Sequence, residues 1–231
     1  MKSNFLKAGI LVVILVIPAL VFIFLKLFGK NNFDLPYYFP VINERDEVKI
    51  VKGDTVFNQA PAFQLVSQNG DTLNSEELKG KIFVTSFFFS RCGTICPPVN
   101  TNLSRVQENF KHEDLLKLVS ITVDPAHDSS EVLKAYSSKY GALKDKWYFL
   151  TGDKGYIYNL AIKGFKLPTA DASEYDKGIE SIDETFIHSD KLLLIDGGGY
   201  FRGIYEGTDK DEINRLIVEI KVLLDHQKKQ K

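Results

Sequence analysis

The chain has 231 residues, 44% of them hydrophobic and 26% charged, a globular composition with room for one ordinary domain plus appendages. Its 29 basic and 30 acidic side chains leave a net charge of −1, so there is no global field to recruit nucleic acid or another polyanion. Two cysteines exclude a disulfide-stapled scaffold, and the single methionine, Met1, leaves no thioether within the domain to serve a soft metal.

Ala8 to Leu25, AGILVVILVIPALVFIFL, is an uncharged apolar run of 18 residues that Leu27 and Phe28 extend past Lys26. It matches the roughly 20 residues a helix needs to cross a bilayer. No small-x-small cleavage pattern follows, so residues 1–28 are read as an uncleaved membrane anchor rather than a signal peptide. No cysteine lies near the run to be acylated, which excludes a lipoprotein. Lys2 and Lys7 precede the run but Lys26 and Lys30 follow it, so an N-in, domain-out orientation rests on the ready translocation of a long following domain. Residues 29–59, with LPYYFP in their middle, lack a sustained period and read as a linker with one short edge strand around Glu47–Val51. The compact domain is expected over residues 60–227, followed by a charged tail at 228–231.

Inside the domain, KIFVTSFFF (Lys81–Phe89) has almost no polar alternation, the pattern of a strand buried on both faces. Val99, Leu103, Val106 and Phe110 then recur at helical spacing, with Pro97 and Pro98 suited to the first turn, where no internal N–H bond is lost. LLKLVSITVD (Leu115–Asp124) predicts a second buried strand, and Ser129 or Ser130 caps a helix that Gly141 stops. WYFLTG (Trp147–Gly152) predicts a third strand and Asp153–Lys163 a short helix. Gly164–Ile187 reads as a polar surface excursion. KLLLI (Lys191–Ile195) and YFRGIY (Tyr200–Tyr205) predict a hairpin through DGGG, and Ile213, Leu216, Ile217, Ile220, Leu223 and Leu224 draw the apolar stripe of a closing helix. That order gives an α/β fold with a mixed central sheet flanked by helices, in thioredoxin-like order with extra elements at the front.

The two cysteines, Cys92 and Cys96 in CGTIC, fall where a buried strand passes into a helix, the edge of an α/β sheet at which sites are built. One helical turn between them brings their Cβ atoms within roughly 5–6 Å. The helix N-terminus favours a thiolate at Cys96. Such a pair moves electrons, holds a soft cation, or closes a structural disulfide; a three-residue loop makes the last a weak staple. His112 in NFKHED and His226 in the charged tail read as solvated, and His127 in DPAHDSS as a surface histidine at a helix start. His188, in FIHSDKLLLID, ends the polar excursion as the chain passes into a strand.

FSRCGTICPPVNTNL, followed by LVSITVDPAHDSSEVLKAYSSKYGA and then FIHSDKLLLIDGGGYFRGIYEG, resembles the Sco/SenC family of membrane-anchored thioredoxin-like proteins needed for cytochrome c oxidase assembly. The likeness covers about Ala60 to Gln227, with the three blocks in the family's order. It implies a copper site formed by Cys92, Cys96 and His188, holding Cu(I) or Cu(II), in a chaperone or thiol reductant for the dinuclear copper centre of the oxidase. Two sulfurs and one imidazole suit both valences. Asp124, at the end of the second strand in VDP, matches a family position and is expected beside the site or at a partner-docking surface. Gly93 departs from the proline common there. The resemblance also implies a bacterial inner-membrane protein, single-pass, with its domain on the periplasmic side. Its partner is the copper-bearing oxidase subunit or another copper or thiol carrier. The alternatives are a thiol:disulfide oxidoreductase using Cys92 and Cys96 without copper, and a tethered interaction domain with a structural disulfide.

Overall fold

The computed structural model describes residues 2–28, 34–167 and 189–229. The chain forms two compact units, Met1–Asp34 and Leu35–Lys231. The first is one helix, α1 (Lys2–Phe28), which contains Pro18 without ending there. Its described side chains from Leu11 to Phe24 are all exposed. Among the described residues, no helix is long and apolar enough to cross a membrane.

The second unit opens with a small hairpin, β1 (Ile50–Val51) and β2 (Asp54–Thr55), followed by β3 (Gln64–Ser67) and β4 (Thr72–Asn74). Then come β5 (Ile82–Phe88), α2 (Cys96–Asn109), β6 (Leu116–Thr122), α3 (Ser130–Lys139) and β7 (Trp147–Thr151). Helix α4 (Lys154–Asn159) runs into a π turn at Leu160–Gly164, and β8 (Lys191–Ile195), β9 (Phe201–Glu206) and α5 (Lys210–Lys229) close the fold. The predicted cap forms, Ser129 Oγ accepting from Val132 N at 3.4 Å, and Asp153 Oδ1 caps α4 by accepting from Tyr156 N at 2.7 Å.

Among the described residues the main sheet has seven strands in the order β4-β3-β7-β6-β5-β8-β9. Strands β5, β6 and β7 are parallel; β8 runs antiparallel to β5, and β9 to β8. All seven residues of β5 and all seven of β6 are buried, as their unbroken apolar runs require. Burying one large aliphatic chain there stabilises by about 1.5–3 kcal/mol. Phe87 and Phe88 divide the core between the two faces. Phe88 stacks on Tyr136 of α3 at 5.3 Å and meets Phe149 edge-on at 5.3 Å, whereas Phe87 meets Phe165 at 5.6 Å. The mixed sheet covered on both faces is the fold class expected from the sequence.

Two segments pack more tightly than their sequence suggests. Leu35, placed in the linker by its irregular surroundings, is only 3% exposed, and the compact unit begins there rather than at Ala60. Tyr38 N donates to Phe201 O at 2.9 Å, and Phe39 packs edge-on against Phe201 at 5.0 Å. The buried Arg202 guanidinium donates to the carbonyls of Leu35 and of Pro36 (3.2 Å), pairs with Asp196 at 2.9 Å and lies 4.0 Å over the Tyr37 ring. The start of the supposed surface excursion is also buried, Phe165 at 0% and Leu167 at 4% exposure, and Phe165 packs on the face opened by Phe87. The rest of that excursion, 168–187, lies outside the described residues.

Candidate metal centre

Strands β5 and β6 are in register to their ends, Phe88 opposite Thr122, and Val123 N donates to Phe88 O at 2.8 Å. Past that edge the chain turns, with Cys92 N donating to Phe89 O at 3.2 Å, and α2 starts at Cys96. The parallel pair thus fixes Cys92, and the helix fixes Cys96 one turn later. Neither cysteine is in a disulfide, and both are buried, at 5% and 7% exposure. Cys96 N donates to Cys92 Sγ at 3.3 Å.

The Cys92 thiol is lowered from 9.0 to about 5. The Cys96 side chain hydrogen-bonded to it contributes most; burial opposes this, and the backbone N–H groups of Cys96, Thr94 and Ile95 add to the lowering. The backbone N–H groups at the helix start therefore act on Cys92, the sulfur upstream of the helix.

The remaining elements bring the chain back to the same edge. Strand β8 is antiparallel to β5, with Thr85 opposite Leu193, so β8 begins where β5 ends. Ser189 and Asp190, both half-buried, precede it there, and His188 lies outside the described residues. Gly207 N donates to Asp190 O at 2.7 Å, and Asn102 of α2 donates to Gly207 O at 2.8 Å. The chain leading into β8 is therefore tied to the cysteine-bearing helix. His112 and His127 are exposed and His226 is half-buried. Among the described residues, no group of three or more His, Cys, Asp or Glu side chains is placed to hold a metal ion.

Residues 52–225 match the SCO1/SenC family. The chain belongs to that family. The SCO1 protein homolog of Bacillus subtilis is 29% identical over 170 residues, 73% of this chain and 84% of the relative. A putative copper-binding protein of Stutzerimonas stutzeri is 32% identical over 163 residues, 69% of this chain and 76% of the relative. Among solved structures, BsSco superposes with a TM-score of 0.60 at 27% identity, over 72% of this chain and 93% of that one. BsSco is described as a member of the Sco family of cytochrome c oxidase assembly proteins carrying a disulfide switch. The thioredoxin-like Sco architecture is thereby established for the folded unit.

In this Sco domain Asp124 is 5% exposed, and its Oδ2 pairs with Arg91 Nη2 at 2.5 Å and Nε at 3.2 Å. Arg91 immediately precedes Cys92, so the expected neighbour of the site reaches it through an arginine. Sequence reasoning misses Asp128 altogether. This carboxylate is fully buried and accepts from Ser90 N at 3.0 Å, from Ser90 Oγ, and from Thr122 Oγ1 at 2.5 Å. Its only sequence signal is its place four residues after Asp124 in DPAHD, which reads as turn chemistry.

Proposed function

We propose that this Sco-family chain is a membrane-anchored, copper-binding assembly factor for the dinuclear copper centre of cytochrome c oxidase, and that it holds copper through Cys92, Cys96 and His188. One observation carries the reading: two buried thiols, not joined in a disulfide, four residues apart at a sheet edge, with Cys92 held down at about 5. Thiolate donors select Cu(I), and an added imidazole makes a Cu(II) state accessible. Cys92 is ionised at neutral pH before any metal arrives, which removes part of the proton cost of binding. Among the described residues no third His, Cys, Asp or Glu is grouped with the pair, and an imidazole would complete a three-donor set. His188 precedes the strand that enters at the cysteine edge, and the Stutzerimonas relative is named as copper-binding.

The same reading makes α1 a single-pass anchor in a bacterial inner membrane, N-in, with the folded unit on the periplasmic side. Its support is the uncharged run Ala8–Leu25 and the exposure of Leu11–Phe24. The partner is the copper-bearing subunit of the oxidase or another copper or thiol carrier. The test is copper loading of the detergent-solubilised chain, reading stoichiometry and the thiolate-to-Cu(II) charge-transfer band. The reading expects one copper per chain and loss of the band in Cys92→Ser and His188→Ala; an unchanged spectrum in His188→Ala would contradict the ligand set.

A second reading, a thiol:disulfide oxidoreductase, is favoured by the lowered Cys92 thiol and by the disulfide switch described for BsSco. Cys92 thiolate attacks a partner disulfide and forms a mixed disulfide. Cys96 then displaces the partner sulfur and gives up its proton, so that two electrons pass to the partner, whose second thiol takes its proton from solvent, and the Cys92–Cys96 disulfide remains. Cys96→Ser traps the mixed disulfide if this occurs, and the reaction has no need of His188.

A further inference from the structure

The turn that delivers Cys92 is short, and something must hold it against the entropy of a strand end. Phe89 is 1% exposed, but Ser90, Arg91 and Cys92 lie beyond the last sheet pair. The group that meets Ser90 is Asp128, from the turn after β6. One carboxylate oxygen accepts Ser90 N at 3.0 Å and Thr122 Oγ1 at 2.5 Å, and the other accepts Ser90 Oγ. Thr122 Oγ1 also accepts from Asp124 N at 3.0 Å, and Asp124 holds Arg91. Asp128 N donates to Asp124 O at 2.9 Å, which fixes the carboxylate's own backbone. Both residues leading into Cys92 are thus bound to one buried acidic turn from the neighbouring strand.

A fully buried carboxylate is costly unless donors replace its water, and here three do. Truncating it leaves Ser90 N–H without that acceptor at the start of the thiol loop. The caps at Ser129 and Asp153 are exposed side chains serving their own helices. Asp128 instead spends its acceptors on a different segment, the one carrying the thiol. We infer that Asp128 is the positioning residue of the thiol pair: it locks Ser90, and through it the approach of Cys92 to Cys96 N. The inference rests on the copper reading only for its metal readout, since the geometry it sets belongs to the dithiol itself.

The experiment compares Asp128→Ala, Asp128→Asn and Ser90→Ala in the full chain in detergent, with Leu224→Ala as a core-destabilised control remote from the edge. Two quantities are measured: Cu(I) affinity by competition with a chromophoric chelator, and the equilibrium constant of the Cys92–Cys96 disulfide against dithiothreitol. Groups that orient metal ligands typically change affinity about 10–100-fold when removed, and Asp128→Ala is expected to fall in that range. Its disulfide equilibrium shifts by about 5-fold or more, Asp128→Asn restores most of both, and Leu224→Ala leaves the equilibrium constant unchanged. If Asp128→Ala does not fold, Ser90→Ala decides, with an expected shift of about 2-fold or more. A folded Asp128→Ala, or failing that Ser90→Ala, with the wild-type disulfide equilibrium overturns the inference. If the wild-type chain binds no copper, the copper reading fails while the disulfide equilibrium still decides the role of Asp128.

Discussion

The lowered Cys92 thiol makes a prediction whose assay conditions follow from its size. The shift from 9.0 to about 5 makes Cys92 almost fully ionised at pH 7, where an unshifted thiol is about 1% ionised. A thiolate of lower basicity is also a poorer nucleophile, by roughly 60-fold for four units at a Brønsted slope of 0.4–0.5. At pH 7 the two effects nearly cancel, and alkylation there reveals little. At pH 5.5 the thiolate fractions differ by roughly 2000-fold, so Cys92 alkylates roughly 40-fold faster than an unshifted thiol of equal access. Burial slows the absolute rate but not the pH at which it is half-maximal. Iodoacetamide labelling of the reduced chain, resolved by peptide mass mapping, should give a midpoint near pH 5 for Cys92. Because the Cys96 side chain contributes most to the lowering, Cys96→Ala should move that midpoint upward. A midpoint between 8 and 9 in the wild-type chain, or one indifferent to Cys96→Ala, refutes the reasoning.

Linkage gives a second expectation. The folded value lies below the unfolded one, so the stabilisation is present above pH 9 and is lost as pH falls towards about 5, at no more than about 1.4 kcal/mol per pH unit. Thermal unfolding of the reduced chain should show that extra slope, and the disulfide form should lack it. Gly207→Ala should destabilise by about 1–3 kcal/mol in urea titrations and weaken copper binding, because its Cβ would meet Asp190 O at 2.7 Å and the Val99 methyls at 3.1 Å. Arg202→Leu should cost about 3–5 kcal/mol and expose residues 35–59 to limited proteolysis, since it strips a buried partner from Asp196 and the donors from the Leu35 and Pro36 carbonyls. Arg202→Lys should recover only part of this, lacking the fork that reaches all three acceptors.

Strands β5, β6 and β8 were legible because burial on both faces writes an unbroken apolar run into local sequence, and the Ser129 cap because a single side chain makes it. Strand β1 falls within the edge strand expected around Glu47–Val51, but its partner β2 and the packing of Leu35–Phe39 were not legible, since a two-residue strand carries no period and the segment's partners, Phe201 and Arg202, lie far along the chain. Phe165 and Leu167 were read as surface because a π turn after α4 breaks the helical spacing that would have marked them as buried. The thiol pair itself was plain. The lowering at Cys92 was not: it comes chiefly from the Cys96 side chain, which only the folded turn brings to it. Asp128 escaped because turn-forming and site-supporting aspartates look alike until a structure shows whose donors they accept.

Copper K-edge X-ray absorption on the Cu(I)-loaded chain decides whether Cys92, Cys96 and His188 form one copper site. Two sulfur scatterers and one nitrogen are expected in the first coordination shell, with the nitrogen contribution lost in His188→Ala. A shell of sulfur alone in the wild-type chain, or a nitrogen that persists in His188→Ala, would contradict that ligand set.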